Sequence, residues 1–118
     1  MLLVDFGPGA ARVPPNDLLE SVTLAPLTTP LGRGASVQAA YFRLASGGQI
    51  VRHPATVPQI LAVVAGSGWV SGADGREERI EAGRAAFWEA GESHETRSDD
   101  GLEAIVIEAE GLRPFTAR

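Results

Sequence analysis

Cysteine is absent from the 118-residue chain, which excludes disulfide bonds, a thiolate nucleophile and cysteine-ligated zinc. Long apolar runs are absent too. The longest, residues 60–65, has six residues, whereas a helix that crosses a bilayer needs about 20. The N-terminus carries no basic residue ahead of its short apolar start, so we expect no signal peptide. Together these absences predict a cytoplasmic protein with no membrane partner.

Lysine is also missing, and all ten basic residues are arginines in a chain of net charge −5. The arginines form no cluster along the sequence. Because nucleic-acid binding depends on basic groups that neutralise phosphates, we expect no nucleic-acid partner. The length of the chain favours one domain with a single core.

Glycines divide much of the chain into short segments rich in valine, isoleucine, phenylalanine and tryptophan. This spacing favours an all-β sandwich or barrel. We predict strands at residues 21–27, 36–44, 58–65, 68–71, 76–80, 85–89, 94–97 and 102–108. Gly66 and Ser67 are predicted to form a two-residue hairpin turn, and no segment has a convincing helical period.

The whole chain, residues 1–118, is predicted to be one domain in three parts. The region from Val13 to Gly34 holds four of the eight prolines, and proline in sheets is confined to edges and loops. We therefore expect residues 1–35 to form an edge strand and loops, residues 36–108 to form the barrel, and residues 109–118 to form a tail.

The chain has two histidines, His53 and His94, and imidazole is the commonest metal ligand. Each stands near the start of a predicted strand, behind a turn that contains glycine. Strands distant in sequence can face each other across a barrel, and alternation would place Ala55, Gln59, Leu61 and Val63 on one face with His53. Histidine pairs in β proteins are more often structural or exposed, so the pair alone leaves both interpretations open.

The residues around both histidines resemble the two motifs of the cupin family. The first motif is Gly, five residues, His-x-His, three or four residues, Glu, six residues and Gly, and its positions here are Gly47, His53, Ala55, Gln59 and Gly66. The second is Gly, five residues, Pro-x-Gly, two residues, His, three residues and Asn, and its positions here are Gly83, Glu89, Gly91, His94 and Ser98. The glycines and one histidine of each motif match, while the other positions differ.

The resemblance implies a double-stranded β-helix, the jelly-roll barrel of small cupins. Cupins that match both motifs bind a divalent metal through three histidines and a glutamate. Here the resemblance implies His53, Gln59 and His94 as ligands of iron, manganese, nickel, copper or zinc. Ala55 stands in place of the third histidine, and neutral Gln59 stands in place of the carboxylate.

A replacement carboxylate could come from Glu89, Glu92 or Glu95, and Glu89 is the one expected to reach inward. The alternative is a metal-free polar pocket in which His53, Gln59 and His94 bind a small ligand by hydrogen bonds. The residues expected to line such a pocket are Ala55, Leu61, Tyr41, Phe87, Trp88 and Glu89.

Two classes of function remain open at this point. One is a metal-dependent enzyme of unassigned reaction, and the other is a non-catalytic protein that binds or senses a small metabolite. The resemblance to small cupins also implies a homodimer in which barrels pack side by side and exchange edge strands.

Overall fold

The computed structural model describes residues 1–10, 12–13 and 25–116 of the chain. Within these residues there are eight strands: β1 Leu2–Asp5, β2 Val37–Leu44, β3 Gln49–Pro54, β4 Gln59–Ser71, β5 Glu78–Glu81, β6 Arg84–Trp88, β7 Ser93–Arg97 and β8 Leu102–Ala109. One turn of 3-10 helix, Pro8–Ala10, follows β1. The described residues contain no helix with the length and apolar character that a membrane span requires. The all-β prediction is confirmed.

The strands form two antiparallel sheets that share β4. The order of the first sheet is β1-β6-β4-β8-β2, and that of the second is β5-β4-β7-β3. β4 belongs to both because it is 13 residues long. Its first half pairs with β6 and β8, and its second half pairs with β5 and β7.

The predicted hairpin at Gly66 and Ser67 is wrong, because β4 continues through both residues. Gly66 has a φ of 76°, in the left-handed region that favours glycine. A Cβ at this position would collide with the carbonyl oxygen of Gly101. Glycine therefore marks the corner where β4 passes from one sheet to the other, rather than a chain reversal.

Two apolar clusters lie on opposite faces of the first sheet, as alternation along β4 shows. Leu61 and Val63 belong to the inner cluster between the sheets, whereas Ile60 and Ala62 belong to the outer cluster. The outer cluster is covered by residues from both ends of the chain, namely Phe6, Leu27, Leu31 and Leu112. Burial on both faces explains why this part of β4 is a continuous apolar run.

Other strand predictions had mixed outcomes. The predictions at residues 36–44, 85–89, 94–97 and 102–108 are confirmed to within one residue at each end. The strand predicted at residues 76–80 begins two residues later, and β1 and β3 were not predicted. The prediction at residues 21–27 lies mostly outside the described residues. The division of the chain into three parts stays a prediction.

Candidate metal and ligand site

His53 and His94 meet on two neighbouring strands of the second sheet. The two residues are Cα partners in the antiparallel pair of β3 and β7. Their ring centroids are 4.5 Å apart, and the ring planes are inclined by 55°. The expectation that they would face each other across the barrel is wrong, because they lie side by side on one ladder.

A β-bulge in β3 directs the side chain of His53. Ile50 pairs with Thr96 and packs against the inner cluster, and the ladder resumes where His53 pairs with His94. Three steps along β3 therefore match two steps along β7. Because the bulge adds one residue, Ile50 and His53 lie on the same face, which simple alternation would not allow.

Both imidazole rings are held by the same local contact. Nδ1 of His53 donates a hydrogen bond to the carbonyl oxygen of Val51 at 2.7 Å. Nδ1 of His94 donates to the carbonyl oxygen of Glu92 at 3.1 Å. A carbonyl oxygen can only accept, so each neutral ring carries its proton on Nδ1 and keeps a lone pair on Nε2. This is the arrangement in which a protein orients imidazoles as metal ligands.

The two rings differ greatly in their surroundings. His94 is buried, with 3% of its surface exposed, and its ring stacks on the indole of Trp88 at a centroid distance of 4.4 Å. Burial lowers the pKa of His94, and the neighbouring imidazole of His53 lowers it further, against opposing effects from Glu92 and Glu108. His53 is exposed. Neutral imidazole at His94 is therefore favoured, as metal binding requires.

Gln59 lies beside Trp88, its Cα partner on β6, and is itself buried. Its Nε2 donates a hydrogen bond to Oε1 of Glu108 at 2.6 Å. Because Oε1 and Nε2 share one carbon atom, this bond turns the amide oxygen of Gln59 away from Glu108. Only that oxygen is available to act as a ligand.

Glu108 is the acidic residue at this site that sequence reasoning missed. It is half-buried on β8, is the Cα partner of Gln59, and acts on His94 electrostatically. The signal was present in the alternation of β8, where Ala104 and Val106 belong to the inner cluster and Glu108 continues the same face.

The three carboxylates considered as replacement ligands lie elsewhere. Glu89 is exposed and forms an ion pair with Arg113 at 3.5 Å. Glu92 accepts hydrogen bonds from the Met1 ammonium and from the backbone amides of Ala73 and Glu89. Glu95 follows His94 on a regular part of β7 and so lies on the opposite face.

The residues expected to line the pocket also separate into two groups. Trp88 and Leu61 lie on the inner face, and Ala55 is buried in the connection from β3 to β4. Phe87 lies in the outer cluster. Tyr41 is 54% exposed and its hydroxyl donates to Glu103, on the outward face of β2 and β8. Phe87 and Tyr41 therefore lie across the sheet from the imidazoles.

The donor set suits a divalent ion with two nitrogen ligands. Two imidazole nitrogens and an amide oxygen fit borderline ions such as zinc, nickel or copper. Histidine, cysteine and acidic side chains of the described residues do not form a group of three or more that could hold an ion. Among the described residues the two imidazoles are therefore joined by no third histidine, cysteine or acidic ligand, and a third protein ligand would have to be the amide oxygen of Gln59.

Comparisons with known proteins identify the fold through similar solved structures. No protein-family model matches the chain, and no curated protein sequence matches it. Among solved structures, a cupin superfamily protein from Desulfitobacterium hafniense has a TM-score of 0.60 at 15% identity, over 83% of this chain and 89% of that one. An RmlC-like cupin from Shewanella frigidimarina has a TM-score of 0.60 at 19% identity, over 70% of this chain and 81% of that one.

A third similar structure is an RmlC-like cupin with a double-stranded β-helix fold from Methanocaldococcus jannaschii. It has a TM-score of 0.60 at 18% identity, over 68% of this chain and 74% of that one. The chain therefore has the fold of small cupin proteins, and its two sheets joined through β4 form the double-stranded β-helix. A shared fold does not fix an activity, so function has to be argued from the site.

Proposed function

We propose that the protein binds a small molecule at the histidine site, which consists of His53, His94 and the supporting indole of Trp88, with the help of a divalent transition metal. The observation that carries this proposal is the pairing of two imidazoles whose Nδ1 atoms both donate to backbone carbonyls. That arrangement leaves two Nε2 lone pairs on rings 4.5 Å apart.

The residues of this chain would divide the work of binding. His94 supplies a rigid donor because the Trp88 indole supports its ring, and His53 supplies an exposed donor that can adjust. The amide oxygen of Gln59 is the third donor. A bound divalent ion would polarise an oxygen atom of the small molecule, which is the chemistry that metal-dependent enzymes of several classes use.

A metal-free binding or sensing protein is the second candidate, and one contact favours it. Gln59 stands where the resemblance implies a carboxylate ligand, yet its amide is engaged by Glu108 at 2.6 Å. In that case His53, Gln59 and Glu108 would hold a ligand by hydrogen bonds alone.

Calorimetric titration of Zn²⁺ into metal-free, untagged protein separates the two candidates. We expect one ion per chain, with affinity reduced at least about tenfold in His53→Ala and in His94→Ala, since each removes one of two nitrogen ligands. Gln59→Glu should tighten binding by about tenfold because it adds a charged oxygen donor. Gln38→Glu, which adds a carboxylate on the other side of Glu108, is the matched control.

Zn²⁺ binding that is absent, or unchanged by both histidine substitutions, would contradict the metal-dependent proposal. An unchanged affinity in Gln59→Glu would remove Gln59 from the ligand set. Equal tightening by Gln38→Glu would mean that added charge, rather than a new ligand, strengthens binding.

We also propose that the protein is a homodimer and acts in the cytoplasm. Among the described strands, β2 pairs only with β8, and it exposes Val37, Tyr41 and Phe42. An unpaired edge with apolar side chains is a site where a second strand can add. Light scattering on Val37→Lys protein, compared with wild type, tests whether this edge holds two chains together.

A further inference from the structure

Three polar residues lie in one line across the first sheet. Gln38 on β2 is the Cα partner of Glu108 on β8, and Glu108 is the Cα partner of Gln59 on β4. Residues in one such line point to the same face of a sheet, and here that face is the inner one. We call Gln38, Glu108 and Gln59 the polar row.

The polar row leads from solvent into the barrel. Gln38 is exposed, Glu108 is half-buried and Gln59 is buried. Beyond Gln59 the same line reaches Trp88, which supports His94. The row therefore connects a polar residue at the rim with the residues that surround His94.

A recess of about 730 Å³ adjoins the outer part of the row. Its lining includes Gln38, Glu108, Glu110, Val57 and the loop residue Arg33. This volume lies within the range of about 300–1,000 Å³ that small-molecule sites occupy. The recess is therefore large enough to hold a small molecule beside Glu108.

The charges around the recess indicate which charge a ligand should carry. Two carboxylates, Glu108 and Glu110, and one guanidinium, Arg33, line it, which leaves one excess negative charge. Glu108 already accepts a hydrogen bond from Gln59 through Oε1, and a carboxylate can accept several more. A group with N–H donors and a positive charge meets these acceptors well, whereas a carboxylate or phosphate would be repelled.

We propose that the recess takes a small molecule that bears a protonated primary amine, and that Glu108 binds its ammonium group. The proposal rests on the proposed function, because Glu108, which lines the recess, also bonds to Gln59, the proposed third metal donor. Glu108 is then the residue that sets specificity, Gln59 holds its carboxylate through Nε2, and Gln38 lies beside it at the rim.

Three four-carbon compounds test this without any variant: butylammonium, butanol and butyrate. Each is titrated into ¹⁵N-labelled protein while the side-chain NH₂ signals of Gln38 and Gln59 are followed. We expect butylammonium to shift both signals with an affinity about tenfold greater than that of butanol, as a charge-assisted hydrogen bond implies. Butyrate should leave them unmoved. Equal or stronger binding of butyrate would overturn the proposal.

Glu108→Gln removes the charge at nearly constant shape and should abolish the preference for butylammonium over butanol. Glu103→Gln is the matched control, since Glu103 lies on the outward face of the same strand, and the preference should persist there. A preference that survives in Glu108→Gln would exclude Glu108 as the binding group. Zn²⁺ affinity is measured separately, so a failed metal site with an intact ammonium preference contradicts only the proposed function.

Discussion

The two strands that carry the histidines differ in how firmly they hold them. β7 lies between β4 and β3, and its His94 is buried against Trp88. β3 pairs with β7 alone among the described strands, contains a bulge, and leaves His53 exposed. One ligand is thus fixed by packing, while the other is held by a single local hydrogen bond and is free to adjust. The difference indicates that His94 is in position before an ion binds, whereas His53 is not fixed in position.

The largest expected effect comes from removing the support of the fixed ring. Trp88 has no exposed surface, and its Nε1 donates to the carbonyl oxygen of Ser71 at 3.1 Å. Trp88→Ala should lower the free energy of unfolding by about 3–5 kcal/mol, as truncation of a buried aromatic side chain does. Urea unfolding measures this, with the partly exposed Trp69 as a control whose truncation costs less. Equal losses of unfolding free energy in the Trp88 and Trp69 variants would contradict the role of Trp88 as the buried support of His94.

A direct comparison of the two imidazoles should show a smaller effect. His94→Ala removes a stacked, buried ring and should cost about 1–3 kcal/mol of unfolding free energy, whereas His53→Ala should change it by at most about 0.5 kcal/mol. Zn²⁺ binding should fall in both variants. Equal stability costs for the two substitutions would show that the environments are less different than the structure indicates.

The smallest expected effect is the pH dependence of the metal-free protein. The pKa of His94 lies below its ordinary value of 6.5, chiefly because of burial. Well above pH 6.5 the ring is neutral in both the folded and the unfolded states, so it adds no pH dependence to the free energy of unfolding. As the pH falls, the unfolded chain binds the proton first, and stability is lost down to the folded pKa.

Urea unfolding of EDTA-treated protein between pH 7.5 and pH 5 checks this dependence, with His94→Ala as the comparison. The wild type should lose more stability than the variant as the pH falls. A wild-type curve that runs parallel to that of His94→Ala would exclude a depressed pKa at this ring.

Much of the fold could be predicted from the spacing of the glycines and from the alternation of apolar and polar residues along the strands. Gly47, Gly75, Gly83, Gly91 and Gly101 all have positive φ, as turn glycines do. Gly66 shares that φ but lies inside β4, because a left-handed glycine can also serve a strand that changes sheets. A local pattern cannot distinguish these cases, since the collision that requires glycine there is with Gly101, which immediately precedes β8 and is distant in sequence.

Less of the candidate site could be predicted. The motif spacing identified His53, Gln59 and His94, and the structure brings the two imidazoles together. The bulge before His53 is formed by pairing with β7. The residues near His53 therefore do not show which way its side chain points. Glu108 is 49 residues from Gln59, and only the register of β4 with β8 brings them together.

The central claim is that two imidazoles present their Nε2 atoms to one ion. A long-range ¹H–¹⁵N correlation spectrum of the histidine rings, recorded during a Zn²⁺ titration, tests it most directly. We predict that both rings carry their proton on Nδ1 without metal. Both Nε2 resonances should then change together and saturate at one ion per chain. A response from only one ring, or a proton on Nε2 in the metal-free protein, would contradict the claim.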